Sequence, residues 1–240
     1  AYICSPANPQ GTVASLEELK RWLSLARKHH FVLASDECYS EIYRDTPPAG
    51  CLEAARELGG ALENLIIFHS LSKRSSGAGL RSGFVAGDQR LMQRQAQLIN
   101  FGGVATPAPI LAAATALWQD EAHVARYRAL YAENFELAQQ ILGPVFGEIR
   151  GAGGFFLWLD VGDGEAAAKA LWEQAAVKVL PGGYMARADA RGFNPGAAYI
   201  RVALVLEPDQ MAAALKRMAP VLAKVVAQHR DVGTARREVV

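Results

Sequence analysis

A lysine, two serines, an aspartate and an asparagine stand at or just beyond the ends of apolar runs in the first eighty residues. Asp36-Glu37 closes the stretch begun by Phe31-Val32-Leu33-Ala34, His69-Ser70 closes Leu65-Ile66-Ile67-Phe68, Lys73 follows in a polar loop with Ser72 before it, and Asn8 follows the opening Ala1-Tyr2-Ile3-Cys4. Runs of this kind read as buried strands of a mostly parallel sheet. Ligands of open α/β sheets sit beyond the carboxyl ends of the strands, so the site should gather Asn8, Asp36, Ser70 and Lys73. A desolvated lysine serves as nucleophile and proton carrier near neutral pH, and a carboxylate holds a cation. Taken singly, each residue has a plainer reading: Lys73-Arg74 as a solvated loop, Asp36 as the cap of a following helix, and the serines and glycines around Lys73 as a surface turn.

The elements that must position these groups alternate apolar runs with amphipathic stretches, the pattern of strands joined by crossover helices. Ser15 and Glu18 form a capping box ahead of Leu16, Leu19, Trp22, Leu23 and Ala26, which predicts a helix to about His29 with Lys28, His29 and His30 at its end. Gly83-Phe84-Val85-Ala86-Gly87 reads as a further strand, followed by helices over 89–98 and 109–118. The Leu/Ala stripe over 112–117 suits core or dimer packing. A smaller α+β region follows: a long helix over 121–142, strands at 155–159, 177–180 and 199–204, a helix over 166–175, and a closing helix opened by Pro208. The division expected is 1–125 and 126–240, with the last ten residues frayed.

The chain has 240 residues, 51% of them hydrophobic, enough to bury a sizeable core. With 25 Lys and Arg against 24 Asp and Glu, it presents no net field for nucleic acid or an anionic membrane. Cys4, Cys38 and Cys51 are odd in number and form no C-x-x-C pair, which argues against a disulfide framework and a zinc site and for a reducing cytoplasm. No apolar run approaches a membrane span. The opening residues already read as a buried strand, so a fragment of a longer protein is expected.

Four segments together resemble the class I and II aminotransferases, which depend on pyridoxal phosphate: Ser5-Pro6-Ala7-Asn8-Pro9-Gln10-Gly11, Asp36-Glu37-Cys38-Tyr39, Ser70-Leu71-Ser72-Lys73, and Arg81 behind them. The resemblance implies the PLP-dependent transferase fold, a mostly parallel large-domain part plus a smaller α+β C-terminal domain, with the family's N-terminal part missing. It implies that Lys73 forms the Schiff base and carries a proton in catalysis. Asp36 would hold the pyridine nitrogen protonated; such an ion pair at about 4 Å is worth on the order of 4 kcal/mol at an effective dielectric of 20. Tyr39 and Asn8 would bond the cofactor phenolate, Ser70, Ser72 and Arg81 the phosphate, and Asn8 and Arg201 the substrate. For Tyr39 alone core packing is the plainer reading, and Arg201 between Ile200 and Val202 equally suits an exposed strand position. His69 is assigned packing and hydrogen bonding, and Pro181-Gly182-Gly183-Tyr184 a turn.

Within the family, the strings 68–75 and 79–88 look most like the succinyldiaminopimelate transaminases of lysine biosynthesis, although Gly77 and Ser82 depart from the usual apolar residues. This implies small-molecule amino acid and keto acid substrates, glutamate as donor, no nucleic-acid or membrane partner, and a homodimer. Two alternatives stay open. One is another fold type I enzyme such as a carbon–sulfur lyase or a synthase; the other is the PLP-sensing domain of a transcription regulator.

Overall fold

The computed structural model describes residues 1–102, 105–149 and 151–235. They gather into two compact units, one of Ala1–Asn8, Thr12–Ala129 and Ala152–Gly154, the other of Pro9–Gly11, Leu130–Gly151 and Phe155–Val240.

In the first unit β1 (Tyr2–Cys4), β2 (Leu33–Asp36), β3 (Leu65–Ser70) and β4 (Gly83–Gly87) form one sheet in that order. The first three are parallel, with Cys4 opposite Asp36 and Asp36 opposite Phe68. β4 runs antiparallel to β3 and places Gly83 opposite Ser70. The sheet is thus mixed and mostly parallel, as the alternating pattern implied. Side chains alternate across the pleat, and Leu33, Leu65 and Ile67 point to one face. There they meet Leu19, Leu23 and Ala26 of α1 (Leu16–Lys28) and Cys51, Ala54 and Ala55 of α2 (Cys51–Glu57). Fully burying each leucine or isoleucine here contributes about 1.5–3 kcal/mol. Asp36 and Ser70 stand in the alternate register, on the opposite face, at the carboxyl ends of their strands.

The capping box of α1 forms as read: Glu18 N donates to Ser15 Oγ at 3.3 Å, and Ser15 N to Glu18 Oε2 at 2.8 Å. The sequence reading missed α2, whose N-cap is Gly50 with no side-chain cap of its own. Its first amide, Cys51 N, instead donates to Glu37 Oε1 at 2.8 Å. A short helix, α3 (Leu71–Arg74), carries Lys73, and α4 (Gln89–Gly102) and α5 (Ala108–Gln119) follow β4. The stripe over 112–117 on α5 is not a core face within this unit: Ala114 is buried, whereas Ala112, Ala113 and Ala116 are exposed.

α6 (Ala122–Phe146) runs past the expected division at 125, and the two units part at Ala129 and Leu130 within it. In the second unit β5 (Phe156–Asp160), α7 (Gly164–Ala175), β6 (Leu180–Pro181), β7 (Tyr199–Ala203) and α8 (Pro208–Ala235) follow. The antiparallel sheet has the order β5-β7-β6 and lays Leu157, Leu159, Ile200 and Val202 on Leu142, Leu171, Leu215, Met218 and Leu222. The strand expected over 177–180 shrinks to Leu180–Pro181, because Ala176 ends α7 in the left-handed region at φ 52° and Val177 N returns to Leu171 O. Of the ten terminal residues expected to fray, 231–235 continue α8 and 236–240 lie outside the described residues. Among the described residues no helix is long and apolar enough to cross a membrane.

Candidate active site

Because β1, β2 and β3 are parallel, their carboxyl ends open on one edge of the sheet. A cavity of about 360 Å³ lies there, and six of the expected residues line it: Asn8, Asp36, Tyr39, Ser70, Ser72 and Lys73. Tyr2, Cys4 and Cys38 line it as well and were not singled out in the sequence. A larger hollow of about 520 Å³ in the second unit, beside β5, holds none of the expected site residues and no lysine.

Asp36 is held at both oxygens. Tyr2 donates its hydroxyl to Oδ2 at 2.5 Å, and Cys38 N donates to Oδ1 at 3.1 Å. Burial, then the bond to Asp36, pushes the Tyr2 hydroxyl well above the usual phenol range. Burial likewise, followed by the Asp36 carboxylate, pushes the Cys38 thiol up to about 12.

Lys73 rides on α3, which Ser70 caps: Ser72 N donates to Ser70 Oγ at 3.1 Å, and Ser70 Oγ donates to Ser72 Oγ at 2.9 Å. The ammonium lies 5.9 Å from the centre of the Tyr39 ring. Behind Lys73 the helix is anchored, which sets aside the plainer alternative of a solvated Lys73-Arg74 loop. Arg74 is 4% exposed, donates to Leu117 O at 2.7 Å, pairs with Glu121 and lies over the Trp118 ring at 5.0 Å. Ser75 Oγ meets His123 Nε2 at 2.8 Å, and His123 Nδ1 meets Asp120 Oδ2 at 2.7 Å. A buried guanidinium with a carboxylate, a carbonyl and an aromatic face holds its backbone more firmly than an exposed one.

Glu37 does not reach the cavity. It is buried and ties the ends of β2 and β3 through Oε2 to His69 Nε2 at 3.2 Å, while Oε1 accepts from Ser35 Oγ and Cys51 N. His69 also stacks on Phe84, ring centres 4.9 Å apart.

Arg81 does not line the cavity. It ends the 3₁₀ turn Ala78–Leu80 in the left-handed region at φ 50°, and Nη1 donates to Ala78 O at 3.0 Å. Its neighbour Ser82 reaches the site by backbone, since Leu71 N donates to Ser82 O at 3.1 Å. Arg201 belongs to the second unit. On β7 it stands between buried Ile200 and Val202, opposite Trp158 in register, with its guanidinium 5.5 Å from the Phe156 ring centre. Pro181 caps the 3₁₀ helix Gly182–Met185 where a turn was expected.

The first unit thus offers an amine able to add to an aldehyde, a carboxylate able to pair with a cationic nitrogen, and serine hydroxyls able to bond an anion. The family profile "Aminotransferase class I and II" matches residues 2–218. This chain belongs to the class I and II aminotransferases. It is 36% identical over 218 residues to the 4-dedimethylamino-4-oxo-anhydrotetracycline transaminase of Streptomyces rimosus, covering 90% of this chain and 58% of that protein. It is 28% identical to the LL-diaminopimelate aminotransferase of Aquifex aeolicus, covering 90% of this chain and 55% of the other. Its fold matches an aminotransferase crystal structure from Neisseria meningitidis with a TM-score of 0.86 and 44% identity, over 92% of this chain and 57% of that one. The aminotransferase chain therefore spans a little over half the length of these relatives.

Proposed function

We propose that this chain is part of a pyridoxal-phosphate-dependent aminotransferase that moves an amino group between an amino acid, with glutamate as donor, and a keto acid. The observation that carries the reading is that Lys73 and Asp36, from separate elements, line one cavity together with Tyr39, Asn8, Ser70 and Ser72. This set of groups fits the cofactor: a lysine for its aldehyde, a carboxylate for its ring nitrogen, a phenol and an amide for its phenolate, and hydroxyls for its phosphate.

When bound, pyridoxal phosphate supplies the conjugated system that accepts the electrons released at the substrate Cα. Lys73 would hold the aldehyde carbon, and its amine, when free, would carry the proton between the substrate Cα and the cofactor C4′. Asp36 holds the proton on the ring nitrogen. Tyr39 and Asn8 donate to the phenolate oxygen. Ser70 and Ser72 would donate to the phosphate, and Arg81, whose neighbour Ser82 is bonded to the Lys73 helix, would supply the cation there. Arg201 would bind the substrate carboxylate through its planar fork, and Asn8 is proposed as a substrate-binding residue in its own right.

On this reading 1–125 is the C-terminal part of the cofactor-binding domain and 126–240 the small domain, and the working protein is a cytoplasmic homodimer. Exposed Leu98, Phe101 and Leu111 support self-association, and three free thiols support a reducing compartment. For the substrate we propose N-succinyl-diaminopimelate with 2-oxoglutarate, on the likeness around Lys73 and the diaminopimelate aminotransferases among the relatives. The 36% identity to a transaminase of an oxo-anhydrotetracycline supports a second reading, a cyclic ketone acceptor.

An absorbance scan with added pyridoxal phosphate tests the core of this. A visible band that is absent in Lys73→Ala and bleached by glutamate is expected. Release of thiol or ammonia in place of a keto acid would redirect the reading to a lyase, and a panel of acceptor ketones separates the two substrates.

A further inference from the structure

We propose that Tyr2 is a positioning residue for Asp36, fixing the carboxylate that faces the cofactor ring nitrogen. The inference rests on the cofactor reading above and adds to it a residue on β1. Tyr2 is paired with Ala34 and Cys4 with Asp36, so Tyr2 and Asp36 are diagonal neighbours on one face of two parallel strands. A tyrosine is long enough to span such a diagonal, and its hydroxyl donates to Oδ2 at 2.5 Å. The other oxygen, Oδ1, accepts from Cys38 N at 3.1 Å. With a donor on each oxygen the carboxylate cannot rotate about its Cβ–Cγ bond without breaking one of them. Tyr2 as a residue is 65% exposed while its hydroxyl end lies in the cavity against Asp36, so the charge-assisted bond, more than packing, sets the place of the hydroxyl. The phenol pKa, held above its ordinary value by burial of the hydroxyl and then by the bond to Asp36, agrees with a hydroxyl that keeps its proton and donates it to the carboxylate.

Without the Tyr2 hydroxyl, Oδ2 loses its donor and the carboxylate turns about the remaining bond to Cys38 N. Asp36 then meets the ring nitrogen over a spread of angles, and the cofactor is held less tightly. The role belongs to the hydroxyl alone and acts through Asp36, so it vanishes when Asp36 no longer carries its charge.

The test is a pyridoxal phosphate titration of the purified protein, read by the visible band and by quenching of protein fluorescence. It compares the parent, Tyr2→Phe, Asp36→Asn and the double variant. Tyr2→Phe is expected to raise the cofactor Kd about three- to tenfold with the melting temperature unchanged. In the Asp36→Asn background the same substitution should change Kd by less than about twofold, the mark of two residues acting through one interaction. An unchanged Kd in Tyr2→Phe, or an equal loss in both backgrounds, overturns the positioning role while the cofactor site stands. A parent protein that forms no Lys73-dependent band overturns the cofactor reading and this inference with it.

Discussion

Cys38 shares Asp36 with Tyr2: its amide donates to Oδ1, and its thiol is pushed up to about 12 by burial and by that carboxylate. At pH 8 the thiolate is then on the order of one part in ten thousand, and the thiolate is the reactive form. Alkylation by iodoacetamide at pH 8 should therefore be at least about a thousandfold slower at Cys38 than at an ordinary exposed cysteine, and should climb about tenfold per pH unit below pH 11. Asp36→Asn removes the charge that opposes ionisation, so it should speed the labelling, though only in part, because burial is the larger cause. Peptide mass spectrometry reads this directly, and labelling of Cys38 at the rate of a free thiol would contradict it. At this scale the sequence was informative where chemistry follows the chain: Asn8, Asp36, Ser70 and Lys73 each sit just past an apolar run. Tyr2 stayed hidden because its partner is chosen by the register of β1 on β2, which no local pattern specifies. The burial of Arg74 was not legible, because its partners Leu117, Trp118 and Glu121 lie more than forty positions away.

Elements divide in the same manner, by how far away their stabilising groups lie. α1 was legible because Ser15 and Glu18 cap it locally, whereas α2 takes its cap from buried Glu37 across a loop. β6 was expected to start earlier than it does, since a left-handed residue, Ala176, and the backbone bond of Val177 take 177–179 out of the strand. The start of α4 combines the two kinds of support. Asp88 Oδ1 accepts from Arg90 N at 2.8 Å within the helix, and Oδ2 accepts from Asn64 N at 3.0 Å, just ahead of β3. The Arg90 guanidinium and these amides hold the Asp88 carboxyl far below the usual carboxylate range. A depressed folded-state pKa contributes stability above the unfolded value of about 3.9 and loses it as pH falls toward the folded one. Asp88→Ala should thus cost about 1–2 kcal/mol at pH 7. The gap to the parent should narrow steadily from about pH 5 to pH 2. Urea denaturation at both ends of that range checks the sign, and a gap that widens in acid would sink the assignment.

At the scale of the molecule, the α/β class was readable from the alternation of apolar runs with amphipathic stretches, while the parting of the two units inside α6 was not, since a helix carries no sequence mark where its contacts change owner. Each unit has its own apolar core. The six cavity residues expected to hold the cofactor all belong to the first unit, and Arg201 belongs to the second. A ligand that binds only the folded form stabilises it by mass action, about 2.7 kcal/mol at a hundred times Kd. For a chain of this size, about 2–4 °C in melting temperature accompanies each kcal/mol. Saturating pyridoxal phosphate should then raise the melting temperature by about 5–10 °C if the protein unfolds in one transition. If calorimetry resolves two transitions, the cofactor should move the one that exposes the first core and leave the other nearly in place. Lys73→Ala, lacking the covalent hold, should show a smaller rise at the same cofactor concentration. An identical rise in parent and variant would place the cofactor somewhere other than on Lys73, and a shift confined to the second unit's transition would remove it from the β1–β3 edge altogether.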